Sequence, residues 1–186
     1  MLYILPTDTC YGIGCAFHDK DAYERIYKLK KRSFDKPLAI LVESFDWLGK
    51  NTELTSEQVD FLKNYHRPFT ILTESSPVRA YLEFYTDEEE AFINKDIYTH
   101  ISFRVVHNDT QKKLLKQTGP LWLTSANLAD AGESYSPLKI EEDFGYQIST
   151  GELVFHSTGE LNSATPPSDV FRFIGESLEI EYVRKI

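Results

Sequence analysis

Three short segments carry residue types that could do chemistry together. Thr124-Ser125-Ala126-Asn127 follows an apolar run, and Ser125 and Asn127 face the same way if the chain there is extended. Leu29–Leu38 (LKKRSFDKPL) puts two cations, Lys30 and Arg32, on one side of an extended segment. From Lys28 to Lys36, five basic residues stand against one acidic residue, a local charge of +4. Pro6–Gly12 (PTDTCYG) sets the hydroxyls of Thr7 and Thr9, the Asp8 carboxylate and the Tyr11 ring at the exit of a predicted strand. Strand exits are where α/β sheets bind ligands. Clustered cations beside hydroxyls suit a small anion. Each segment alone also has a plain structural reading: a solvated helix end, a turn, and an N-cap turn.

The elements that must position these segments follow from periodicity. Leu2–Leu5 and Gly12–Phe17 read as strands, and Asp19–Lys31 as a helix with Ala22, Ile26 and Leu29 on one face. Strands are expected at Leu38–Val42, Phe69–Thr73, Ser102–Val106 and Leu121–Leu123, the last running directly into Thr124. Thr55-Ser56-Glu57-Gln58 is a capping box that starts a helix through about Tyr65. Asp109 is expected to cap a helix ending near Gly119, and Ser136 to cap a short helix from Pro137. Strands near Glu152–His156, Asp169–Ile174 and Leu178–Val183 complete the chain. The tyrosine-rich, acidic stretch 75–100 reads as a hairpin or insertion. The sum is a single α/β domain with a mixed sheet and flanking helices, spanning 1–186.

Composition narrows the function classes. The 186 residues are 41% hydrophobic and 26% charged, ordinary globular usage that argues against disorder. A net charge of −9 argues against a broad basic face for nucleic acid, yet a small anionic ligand feels its pocket and not the whole-chain sum. Setting the basic segment aside, the remaining residues carry −13. Cys10 and Cys15 are the two cysteines, and they read as buried, reduced thiols. The histidines (18, 66, 100, 107, 156) show no metal-ligand spacing, so no metal site is expected. Gly12-Ile13-Gly14 lacks the third glycine of a dinucleotide fingerprint, there is no Walker-type loop, and Ser125 is not in a nucleophile elbow. No apolar run approaches a membrane span and no signal peptide is evident, so the cytoplasm is the default compartment.

Taken together and in this order, the motifs resemble the YrdC-like family, which contains the threonylcarbamoyl-AMP synthases of the TsaC type. The matching stretches are Pro6–Cys15 (PTDTCYGIGC), Lys30–Leu38 (KKRSFDKPL), Pro68–Thr70 (PFT), Arg104-Val105 and Thr124–Asn127 (TSAN), coherent from Pro6 to about Phe171. The resemblance implies a twisted α/β sheet around a positively charged cavity. It further implies a nucleotidyltransferase that joins L-threonine, bicarbonate and ATP, releasing pyrophosphate and threonylcarbamoyl-AMP. Mg²⁺ is implied as the counter-ion of the triphosphate. The product would feed modification of an adenosine in tRNAs that read ANN codons, completed by separate threonylcarbamoyl-transferase proteins. Direct tRNA binding is expected to be weak or indirect, given the acidic remainder of the chain.

By the same resemblance, Lys30 and Arg32 are the catalytic cations, and with Ser125 and Asn127 they handle the nucleotide. Arg104 falls near the phosphates, and Thr7, Thr70 and Ser168 would contact threonine. The competing reading is a non-catalytic or RNA-binding relative that keeps the cavity; retention of Lys30, Arg32, Ser125 and Asn127 favours catalysis. Departures from the family pattern are visible. The leading helix and basic segment common in the family do not precede the first strand here, and 75–100 is longer and more acidic than the pattern. His66-Arg67 replaces P-G, and Ala129-Asp130 replaces S-G. Asp169 follows Ser168 where the family has a hydroxyl, and a carboxylate pointing into the cavity would repel a phosphate.

Overall fold

In the computed structural model, which describes residues 1–74, 97–128 and 131–185, strands β1 (Leu2–Pro6) and β2 (Tyr11–Ala16) form an antiparallel pair with Leu5 opposite Gly12. The other strands are β3 (Ala39–Val42), β4 (Phe69–Thr73), β5 (Ile101–Val105), β6 (Leu121–Ser125), β7 (Leu153–Phe155), β8 (Asp169–Phe173) and β9 (Ile180–Arg184). Among the described residues they make one nine-stranded sheet in the order β7-β1-β2-β6-β3-β5-β4-β8-β9. Pairs β1/β7, β3/β5 and β4/β8 are parallel and the rest antiparallel, the mixed sheet expected from the sequence. The hairpin or insertion expected at 75–100 lies, apart from its last four residues, outside the described residues.

Strand alternation gives the sheet two unlike faces. One carries Ile4, Ile13, Ile40, Ile71, Phe103, Trp122 and Phe171, all at most 1% exposed, and is the main core. Four helices contribute to that core: α1 (Lys20–Lys30), α2 (Phe45–Asn51), α3 (Ser56–Lys63) and α5 (Pro137–Ser149). The opposite face bears Leu5, Leu41, Leu121 and Leu123, which pack on Leu114 and Leu115 of α4 (Asp109–Thr118). Beyond α4, this second face holds the cavity described below.

Local signals explain most boundaries. Asp19 caps α1 by accepting from the Ala22 N–H at 3.0 Å, and the Thr55/Gln58 capping box forms as expected. Asn108, not Asp109, caps α4, because its Oδ1 reaches the Gln111 N–H at 2.9 Å; Asp109 is the first helical residue. The helix from Pro137 is not short: it runs 13 residues. Helix α2 was not expected, since Leu48 is its one buried residue and leaves no apolar period to read. It starts where Ser44 Oγ accepts from the Trp47 N–H at 3.0 Å.

Lys30 and Arg32 do not share an extended segment. Lys30 ends α1, and Lys31 takes the left-handed conformation (φ 51) that closes the helix, with the Arg32 N–H donating to Tyr27 O at 2.9 Å. The reversal sends consecutive cations in different directions.

Candidate active site

Small residues floor the cavity on the second face. Gly12 of β2, Ala39 of β3, Thr70 of β4, Ser102 of β5, Leu123 of β6 and Val170 of β8 line a volume of about 290 Å³. Gly12 keeps that floor open, since a Cβ would lie 2.9 Å from Leu123 Cδ1, 3.0 Å from Thr7 Cγ2 and 3.3 Å from Thr124 O. The rim adds Arg32, Arg104 and Arg184, with Glu133 as the carboxylate among the lining residues.

Of the eight residues selected from the sequence, Thr7, Arg32, Thr70, Arg104, Ser125 and Ser168 line this cavity. Lys30 and Asn127 stand behind Ser125. The Lys30 ammonium donates to Ser125 O and, at 3.2 Å, to Asn127 Oδ1, which also accepts from Ser125 Oγ at 2.6 Å. Asn127 Nδ2 donates onward to Leu128 O and Ala131 O, at 3.0 and 2.7 Å. Strand β6 ends at Ser125, so Ser125 and Asn127 meet through a turn and not by strand alternation. Lys30 is 3% exposed; burial, then the like charge of Arg32, lowers its pKa from the ordinary 10.5 to about 8.

Arg32 is held at the rim by its own loop. Nε donates to Lys36 O at 3.4 Å and Nη2 to Pro37 O at 3.1 Å. That loop is anchored beneath by buried tyrosines: Tyr27 OH donates to Lys36 O at 3.0 Å, and Tyr98 OH accepts the Leu38 N–H at 3.1 Å. Tyr23 OH bridges both rings, at 3.1 Å to Tyr27 OH and 2.8 Å to Tyr98 OH. Burial pushes all three phenols up from the ordinary tyrosine value, so they stay neutral.

The P-T-D-T segment is a turn between β1 and β2 and caps no helix. Thr7 Oγ1 accepts the N–H groups of Thr9 and Cys10, both at 3.2 Å, and donates to Cys10 O at 2.7 Å. Cys10 lines the cavity, and burial followed by the Glu133 charge pushes its thiol up to about 11. Both cysteines are free and buried, as expected.

Thr70 and Ser168 form the far corner, with their hydroxyls 3.1 Å apart. Arg184, which no motif pointed to, seals that corner. It lies opposite Val170 on β9 and donates from Nη2 to Ser168 O at 2.9 Å and to Ser168 Oγ at 3.2 Å. Period-two reading of β9 together with its pairing to β8 is the signal that finds it. Asp169 points the other way: its side chain is 0% exposed and its Oδ2 accepts from Tyr65 OH at 2.8 Å and pairs with Arg67 at 3.5 Å. The anticipated repulsion of a phosphate does not arise.

A larger cavity, about 500 Å³, lies at the ends of β4 and β8, lined by Gln58, His100, Arg172 and Glu181 among others. None of the eight residues lines it, so size does not mark the site. Among the described residues no group of three His, Cys, Asp or Glu side chains is placed to hold a metal ion, and no helix is long and apolar enough to cross a membrane.

With this geometry in view, relatedness becomes informative. The sequence profile of the Sua5/YciO/YrdC family, described as Telomere recombination, matches residues 1–184. The chain belongs to the Sua5/YciO/YrdC family. A relative named threonylcarbamoyl-AMP synthase, from Stutzerimonas stutzeri (strain A1501), is 32% identical over 168 residues, covering 88% of this chain and 80% of the relative. The crystal structure of P. abyssi Sua5 complexed with L-threonine superposes with a TM-score of 0.74 at 24% identity, covering 98% of this chain. This chain spans 49% of that Sua5 chain, about half its length. E. coli YciO superposes with a TM-score of 0.73 at 21% identity, covering 99% of this chain and 82% of YciO. At these identities the two superpositions show that the family fold is shared.

Proposed function

We propose that this protein is an L-threonylcarbamoyladenylate synthase acting in the cytoplasm. The observation that carries the reading is the Lys30–Ser125–Asn127 cluster set behind a cavity with three arginines on its rim and the Thr70–Ser168 hydroxyl pair at its far corner. The name of the 32% identical relative supports it.

The chemistry fits the groups present. The threonine nitrogen takes up carbon from bicarbonate with loss of water, giving a carbamate. A carbamate oxygen then attacks the α-phosphorus of ATP, the bond to the bridging oxygen breaks, and pyrophosphate leaves with the electron pair. Negative charge grows on the leaving oxygens, where fixed cations are worth most. Arg32 offers a fork to the phosphates, and Lys30 offers a buried point charge that also orients Ser125 and Asn127. Thr70 and Ser168 supply hydroxyls for the amino acid. Mg²⁺ would be held chiefly by the triphosphate oxygens and would neutralise phosphate charge; Glu133 is the carboxylate among the residues lining the cavity. No enzyme nucleophile is needed, in keeping with an unactivated Cys10. The product would pass to separate threonylcarbamoyl-transferase proteins, which act on the tRNA.

The test is pyrophosphate release from ATP, Mg²⁺, bicarbonate and L-threonine, with each component omitted in turn. Release that persists without threonine or bicarbonate would refute the assignment.

A further inference from the structure

Arg104 and Asp8 form an ion pair that spans the cavity wall. Their side chains are 13% and 31% exposed. In the sheet, β2, β6 and β3 separate the strand before Asp8 from the strand that bears Arg104. The contact is therefore not a neighbour's contact; it bridges the β1–β2 turn to the end of β5. Two hydrogen bonds from the start of α4 hold the residue that leads into the turn. Pro6 O accepts from Asn108 Nδ2 at 3.1 Å and from Gln111 Nε2 at 3.0 Å, and Gln111 is 1% exposed.

The Asp8 side of the pair is thus held. The turn is rigid through the Thr7 Oγ1 bonds, and α4 clamps its first residue, so Asp8 has little freedom to follow Arg104 elsewhere. Among the described residues the guanidinium makes one hydrogen bond, from Nη2 to Asp8 Oδ1. Its other donors remain for the cavity that Arg104 lines.

We propose that Asp8 is a positioning residue: it aims the Arg104 guanidinium into the cavity so that the unused donors receive an anionic group of the substrate. This inference deepens the synthase reading and rests on it for the identity of the ligands. The anionic oxygens could belong to a phosphate or to the carboxylate of the amino acid, and the two are separable by titration.

The experiment measures binding of inorganic pyrophosphate, and separately of L-threonine, to the wild type, Asp8→Asn, Asp8→Glu, Arg104→Ala and the Asp8→Asn/Arg104→Ala double variant. Asp8→Asn should weaken one of the two ligands tenfold or more, with the melting temperature nearly unchanged. Asp8→Glu should restore most of the affinity, and the double variant should bind no worse than Arg104→Ala alone. The ligand affected identifies which anion Arg104 receives. Tighter binding by Asp8→Asn would show that Asp8 competes for Arg104, and would overturn the inference. Equal affinity, additive losses, or a collapse of the melting temperature that Asp8→Glu does not rescue would overturn it too. Because binding is read without turnover, a wild type that binds pyrophosphate but fails the omission assay refutes the synthase reading alone. A wild type that binds neither ligand refutes both.

Discussion

Lys30 Nζ donates to Asn127 Oδ1 at 3.2 Å, although 97 residues separate them. The bond joins the end of α1 to the turn after β6 and buries an ammonium group beside the cavity. Burial, then the like charge of Arg32, brings the pKa of this lysine down to about 8, although its two acceptors favour the charged form.

That titration sets a pH dependence for nucleotide binding. A bound phosphate favours the charged ammonium, whereas above about pH 8 the free protein loses the proton. ATP affinity should fall as pH rises through 8, approaching about tenfold per pH unit, with one proton taken up on binding. Stability moves oppositely. Between about 8 and the ordinary 10.5 the unfolded chain holds more protons, so Lys30 lets stability rise with pH there. Calorimetric titration of ATP from pH 7 to 9.5 reads the first effect; Lys30→Arg should abolish the slope.

Asn127→Asp should place a carboxylate against the Lys30 ammonium and raise its pKa. The alkaline loss of ATP affinity should then move up by at least one pH unit. Asn127→Ala removes one of the two acceptors of Lys30 and the anchor of Leu128 O and Ala131 O, and should destabilise the fold by about 1–3 kcal/mol. Chemical denaturation measures that loss.

Arg32 grips its own loop carbonyls with Nε and Nη2, which presets the fork for phosphate. Arg32→Ala should lower pyrophosphate release tenfold or more, about 1.4 kcal/mol. Arg32→Lys should recover little of it, because a point charge does not replace a planar fork. Steady-state assays of the three proteins decide this.

Thr70→Val removes one hydroxyl and keeps the shape. Ser168 Oγ still accepts from Arg184, so folding should be nearly unaffected. The KM for threonine should rise by up to about tenfold, the worth of one hydrogen bond, with the KM for ATP unchanged.

Two strand glycines separate space from function. A Cβ on Gly14 would land on the Trp122 carbonyl oxygen, which cannot yield, whereas one on Gly12 presses hardest on the side chains of Leu123 and Thr7 and stays 3.3 Å from the Thr124 carbonyl. Gly14→Ala should destabilise by about 3 kcal/mol, at the upper end for overpacking. Gly12→Ala should fold with a lower melting temperature and bind substrate more weakly, as Thr7 is displaced. Thermal melts and threonine titrations distinguish the two.

Features that depend on near neighbours are legible in the chain without its fold. The Thr55/Gln58 capping box, the apolar face of α1 and the alternating strands are local, since caps and periodicity need only a few residues. Motif order also brought six cavity-lining residues to notice without coordinates. The rest follows from long-range packing. That Lys30 is buried behind Ser125, that Asp169 turns to Tyr65, and that Arg184 seals the Thr70–Ser168 corner are all contacts between distant segments. They depend on which strands pair and which face each side chain takes, and a nine-stranded order with three parallel pairs is set by long-range packing. Even the reversal between Lys30 and Arg32 needed the folded chain. A lysine, not a glycine, takes the left-handed position there, so residue type does not announce where the helix stops.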